Sequence, residues 1–244
     1  MCAGELPLWA YHYDRLLTGM KALRMDIPAH YSAAFFKNEI EKLTGTKENF
    51  RVRLSVNRCD GGLYTPKSDI PYFLIEARNT PKNHFPKHEN GLTLGWYDEA
   101  PILSKTRLAG IKSANALPYV LAAQHRKTYG LDDCLIFNEK GNVVEAVSSN
   151  VFVIKADKLF TPHLRSGCVA GVMRRTIIDA AKILGIGIKE QISLQPKHIF
   201  QADGLFLTNA IQGIRWVKKV EYTEFSYPEM IDKLQESINN FSCL

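Results

Sequence analysis

Between Phe50 and Arg58 the chain reads FRVRLSVNR, with Val52, Leu54 and Val56 alternating against Arg51, Arg53 and Ser55. A period of two puts every other side chain on one face of an extended strand, which an amphipathic helix cannot do. The pattern changes at this point. Upstream, YHYDRLLTGMKALRM and IPAHYSAAFFKNEIEKL carry apolar residues at helical spacing on either side of a break at Pro28. Downstream, PYFLIEAR and GLTLGWYD read as two more strands, the first after a turn at Gly61-Gly62. Helices followed by tightly turned strands predict a small α+β domain over residues 1–100, built on an antiparallel sheet.

Both periods fade in DEAPILSKT, which predicts a linker at 101–106 and a second domain over 107–244. There, Asn115 can cap a helix that tolerates Pro118 in its first turn and ends at Gly130. CLIFNEKGNVVEAV predicts a hairpin turning at Lys140-Gly141, and NVFVIKADKLFTP another around Asp157. GVMRRTIIDAAKILG is a helix bounded by Gly171 and Gly185. GIGIKEQIS and GLFLTNA read as strands, and PEMIDKLQESINNF as a terminal helix.

Composition narrows the class. No apolar run approaches the roughly 20 residues of a membrane-spanning helix, and MCAGELPLW is too short for a signal peptide. Cys2, Cys59, Cys134, Cys168 and Cys243 are odd in number and scattered, as expected of reduced thiols in a cytoplasm. The net charge of +6 is spread without a basic stripe, so an anionic small molecule is expected as partner, not nucleic acid or a membrane.

Four features could carry chemistry. Lys112 sits in RLAGIKSANA, among small and apolar neighbours. Either its stem lies along the core with its ammonium in water, or it is a nucleophilic amine made neutral by desolvation. Glu145, among valines in GNVVEAV, lies on a solvated face or is a buried carboxyl facing a pyridinium nitrogen. Gly171, Val172 and Met173 form a plain helix start or an anion site of backbone amides. Arg15, in an otherwise apolar helical stripe, is an exposed arginine or a phosphate contact.

The order of these features resembles the class IV (fold-type IV) pyridoxal-phosphate enzymes. The pieces are HYDRL, IKSAN, EAVSSNVF, GVMR and FLTNAIQGI, spanning Arg15 to about Val220. The resemblance implies a two-domain fold, a small α+β N-terminal domain followed by a larger pseudo-barrel domain, and a homodimer binding pyridoxal 5'-phosphate. It implies that Lys112 holds the cofactor as a Schiff base and then moves protons, and that Glu145 binds the ring nitrogen. Arg15, the amides of Val172 and Met173, and the Asn209-Ala210 loop would hold the phosphate, and Asn150 would brace the strand end. Family chains carry another strand ahead of the HYDRL helix, so a native first strand is expected to be missing here. Leu117 stands where branched-chain aminotransferases have a cofactor-facing tyrosine, whereas Asn115, TNA at Thr208–Ala210 and the short chain resemble 4-amino-4-deoxychorismate lyases. The resemblance therefore implies a lyase forming 4-aminobenzoate and pyruvate for folate synthesis, with an amino-acid transaminase of D-amino acid or branched-chain type as the alternative.

Overall fold

The computed structural model describes every residue except 3, 46, 47, 81–84, 192, 243 and 244, so Cys243 lies outside the described residues. Two compact units divide the chain, one of residues 1–84 and 241–244 and the other of residues 85–240.

The first unit holds helices α1 (Trp9–Ala22) and α2 (Ala33–Thr44) and strands β1 (Phe50–Arg58) and β2 (Pro71–Asn79). Helix α2 starts five residues after Pro28, because Ser32 accepts a hydrogen bond at Oγ from the Phe35 amide (3.1 Å) and fixes the first turn there. Its Phe36 and Ile40, one turn apart, are buried, and each contributes about 1.5–3 kcal/mol by leaving water. Met20, Tyr31, Leu54, Val56 and Phe73 complete this core. Strand β1 has the bounds its alternation predicts, and it pairs antiparallel with β2 from Phe50↔Asn79 to Arg58↔Pro71.

The second unit is a sheet of nine strands. These are β3 (Leu92–Ile102), β4 (Asp133–Asn138), β5 (Val143–Ala146), β6 (Asn150–Lys155), β7 (Lys158–Pro162), β8 (Ile188–Gln191), β9 (Gly204–Asn209), β10 (Gly213–Val220) and β11 (Thr223–Glu224). Its order is β5-β4-β3-β10-β9-β6-β7-β8, with β11 on β10. The sheet curls, so that edge strand β5 continues into β6 through an Ala146 amide bonded to the Ser149 carbonyl (2.8 Å). Helices α3 (Leu117–Thr128), α4 (Val172–Ile183), α5 (Pro196–Phe200) and α6 (Met230–Ser242) and a 3-10 turn at Leu164–Ser166 complete the described elements. This is the mixed α+β architecture with a curled, barrel-like sheet that the family resemblance implies.

Three expectations change. Strand β3, expected with the first domain, instead pairs in parallel with β4 and β10. The 101–106 stretch begins inside β3, where Ile102 pairs with Asn138 after a register shift. Asn115 does not cap α3. The capping position is Ala116, and the Asn115 amide meets Ser113 Oγ at 3.3 Å. Elsewhere the turns fall where expected: Gly141 has φ 69°, Ala156 and Asp157 take the left-handed pair 47° and 56°, and Gly130 and Gly185 follow their helices at 62° and 68°.

Candidate active site

The strands alternate sides, and this sorts the sheet into two faces. Leu135, Ala146, Val151 and Leu207 pack in one apolar cluster, while Glu145 and Asn150 fall on the opposite parity. Glu145 is 3% exposed. Its Oε1 accepts from the Tyr119 hydroxyl of α3 at 2.6 Å, and its Oε2 accepts from Asn150 Nδ2 at 3.2 Å. The Val169 amide is shared between both oxygens at 3.1 Å. Burial raises the Glu145 carboxyl to about 7. The Tyr119 and Val169 hydrogen bonds and the charges of Lys112 and Arg174 oppose that rise.

The segment carrying Lys112 is tied to the start of α4 by the Ala170 amide donating to the Gly110 carbonyl (2.9 Å). Gly110 is buried and left-handed at φ 86°, so Ile111 turns inward while Lys112, Ala114 and Asn115 face out. Lys112 is therefore exposed, as the first of its two sequence readings has it, and is not desolvated by its apolar neighbours. Its charge still reaches Glu145.

Helix α4 opens at Gly171 with no side-chain cap and no acidic residue in its first turn. Val172 and Met173 are buried there. Asn150 explains the glycine: its Oδ1 occupies the space a Cβ would need, while its Nδ2 also donates to the Val169 carbonyl (2.9 Å). Gly171→Ala is expected to displace Asn150 from Glu145 and cost about 1–3 kcal/mol, read by urea unfolding. Arg174, also on α4, is buried against the Pro162 carbonyl (2.8 Å) and Glu190 (2.6 Å).

At the end of β9, Asn209 Nδ2 donates to Ser149 Oγ at 2.9 Å, one residue beyond the Asn150↔Thr208 pair. Its Oδ1 accepts from the Ile211 and Gln212 amides, each at 2.9 Å. The Asn209 side chain thus closes its own turn and pins it to the β6 start, leaving Ala210 half-buried at the rim.

Lys112, Glu145, Asn150, Val172, Met173, Asn209 and Ala210 all belong to the second unit. Arg15 belongs to the first, on α1, where it lies one turn from His12 and is half-buried. Burial, the Arg15 charge and the chain's amino terminus together push the His12 imidazole down to about 4, so it is neutral at neutral pH. Tyr119, Ser149 and the Val169 amide were not foreseen. Tyr119 alone left a trace, as a hydroxyl-bearing aromatic on a helix beside a strand with a buried acid.

Comparison with known proteins decides the family. The model for class IV amino-transferases matches residues 2–220. The chain belongs to the class IV aminotransferases. It is 25% identical over 242 residues to an aminodeoxychorismate lyase of Vibrio harveyi, covering 97% of this chain and 88% of that one. It is 35% identical over 214 residues to a Methanocaldococcus jannaschii protein whose name assigns it to the branched-chain-amino-acid aminotransferases, covering 83% and 70%. The crystal structure of 4-amino-4-deoxychorismate lyase from Pseudomonas aeruginosa superposes with a TM-score of 0.84 at 25% identity, covering 98% and 87%.

Membership makes the chain a pyridoxal-phosphate-dependent enzyme, and the residues present fit that cofactor. Three donors reach Glu145, and the Val169 amide, split between the two oxygens, gives each only part of a hydrogen bond, so the carboxylate can still accept a ring N–H. A buried carboxyl raised to about 7 also lacks enough positive charge, which a protonated pyridine would supply. The uncapped, acid-free start of α4 suits a phosphate.

Proposed function

We propose that this class IV enzyme is a 4-amino-4-deoxychorismate lyase, releasing 4-aminobenzoate and pyruvate, and that it works as a homodimer in the cytoplasm. The observation that carries the reading is the near end-to-end match to two lyases, the Vibrio harveyi protein and the Pseudomonas aeruginosa structure, of which the chain spans 88% and 87%. Among the described residues no helix is long and apolar enough to cross a membrane.

In this reading Glu145 holds the ring nitrogen, while Asn150 and the Val169 amide fix the carboxylate's orientation. The amides of Val172 and Met173 and the backbone at Asn209-Ala210 hold the phosphate. Pyridoxal phosphate, when bound, supplies the sink for the electrons of the breaking substrate bond. Lys112 Nζ, exposed on its short loop, takes the proton from the substrate carbon that bears the amine. The neighbouring C–O bond then breaks, the ring becomes aromatic, and the departing enolate gains a proton to become pyruvate.

The transaminase alternative keeps its footing on the 35% identity to the Methanocaldococcus jannaschii relative. There Lys112 would return the proton to a different carbon, and the nitrogen would stay with the enzyme. A paired product assay separates the two. Given 4-amino-4-deoxychorismate, the loaded enzyme is expected to form pyruvate and 4-aminobenzoate in equal amounts. Given an amino acid with 2-oxoglutarate, it is expected to form glutamate about 100-fold more slowly or not at all. Glutamate as the faster product overturns the lyase reading.

A further inference from the structure

The shortest hydrogen bond to Glu145 comes from Tyr119 of α3, whose hydroxyl donates to Oε1 at 2.6 Å. The motifs that place the chain in its family do not include this residue. Resting on the reading of Glu145 as the acid that faces the ring nitrogen, we propose that Tyr119 is a positioning residue for that acid, holding it ionised and aimed at the cofactor.

Three observations carry the assignment. First, Tyr119 sits in the first turn of α3, seven residues after Lys112, so one short segment places both the amine and the donor to the acid. Second, its ring packs beside Tyr97, Ala122, Cys134 and Ile136, which leaves the phenol little freedom to leave the carboxylate. Third, the proton stays on the phenol. Burial and the adjacent Glu145 charge drive its ionisation well above the ordinary tyrosine value, so Tyr119 donates and Glu145 accepts.

Among the described residues, the charged and titratable groups facing Glu145 come from α3, α4 and the chain leading into each. Tyr119 approaches from α3, Lys112 from the loop before it, Arg174 from α4, and Cys168 from the chain leading into α4. Asn150 and the Val169 amide add neutral donors. Arg174 is committed to Pro162 and Glu190, and Asn150 also serves Val169, so Tyr119 is the side-chain donor with no second hydrogen bond among those described. Its removal has no ready substitute.

Tyr119→Phe keeps the ring and removes only the hydroxyl. In cofactor-free protein, the Glu145 carboxyl stretch followed by infrared difference spectroscopy against Glu145→Gln is expected to titrate about one pH unit higher in the variant, a tenfold change in protonation. In the loaded enzyme, the visible cofactor band is expected to shift its pH titration, with kcat falling about tenfold and KM little changed. Tyr119→Gln, which restores a donor, should recover part of both effects.

An unmoved Glu145 titration in Tyr119→Phe overturns the proposal, as does a moved titration that leaves the cofactor band and kcat unchanged. If the hydroxyl were merely structural, Phe and Gln would both alter unfolding while leaving the band untouched. Glu145→Gln serves as the control for the underlying reading. Should it leave the band unaltered, Glu145 does not face the ring. Should it alter the band while Tyr119→Phe does not, only the role of Tyr119 fails.

Discussion

Lys112→Ala enzyme, loaded with pyridoxal phosphate, is expected to turn over its substrate about 10³-fold more slowly than the parent, whichever product is followed. Two losses combine in that figure. The amine that attaches the cofactor disappears, and so does the base that moves the proton at the substrate carbon. The variant should also lack the visible band that borohydride fixes irreversibly in the parent, and mass spectrometry of reduced parent protein should find the added mass on residue 112. Folding should be spared, because Lys112 is exposed and its backbone neighbours Gly110 and Ile111 provide the packing. Lys105 supplies the contrast. It lies seven residues earlier with φ 55°, its amide bonded to the Arg165 carbonyl (2.9 Å), and Lys105→Ala should keep band and turnover. A band that survives in Lys112→Ala and vanishes in Lys105→Ala would reassign the amine.

What the sequence makes legible is whatever depends on neighbours along the chain. The β1 alternation sets both its bounds and its buried face, because period two leaves no other choice. The β4–β5 and β6–β7 hairpins follow from Lys140-Gly141 and from two adjacent left-handed residues, Ala156 and Asp157. The destination of β3 was not legible. Its residues read as a strand, but its partners β4 and β10 lie 31 or more positions on, and parallel pairing leaves no turn signature between them. Strand β10 is hidden for a related reason: GIRWVKKV mixes charge with apolar residues, and it is a strand through its pairing with β9 and β3.

The candidate site divides along the same line. Glu145, Asn150 and the α4 start could be named from motif and register, and they do meet around one carboxylate. Tyr119 could not be named, because a helix must dock on the sheet before its hydroxyl can find Oε1. For Lys112 the sequence leaves two settings open, since small apolar neighbours do not tell which of them turn inward, and the fold selects the exposed one.

The buried acid gives the second large effect, one seen most directly in stability. In cofactor-free protein the Glu145 carboxyl is raised from its ordinary 4.5 to about 7, chiefly by burial. Such a group binds its proton more tightly folded than unfolded. Its contribution to stability is therefore full below about 4.5, declines as the unfolded chain ionises first, and is lost once pH passes about 7. The gap between the two values corresponds to about 3 kcal/mol. Lys112 and Arg174 face the group with positive charge, and Tyr119, Asn150 and Val169 with donors, so the loss reflects desolvation that these partners only partly offset. Glu145→Gln removes the ionisation and keeps the shape. Urea unfolding across pH 4.5 to 8 should show the variant gaining on the parent by about 3 kcal/mol as pH rises, whatever constant offset the new amide introduces. Loading the parent with pyridoxal phosphate should flatten its curve, because a protonated ring nitrogen gives the carboxylate the counter-charge it lacks. Parallel curves for variant and parent would mean that Glu145 is ionised without penalty and has no vacancy for a cation to fill.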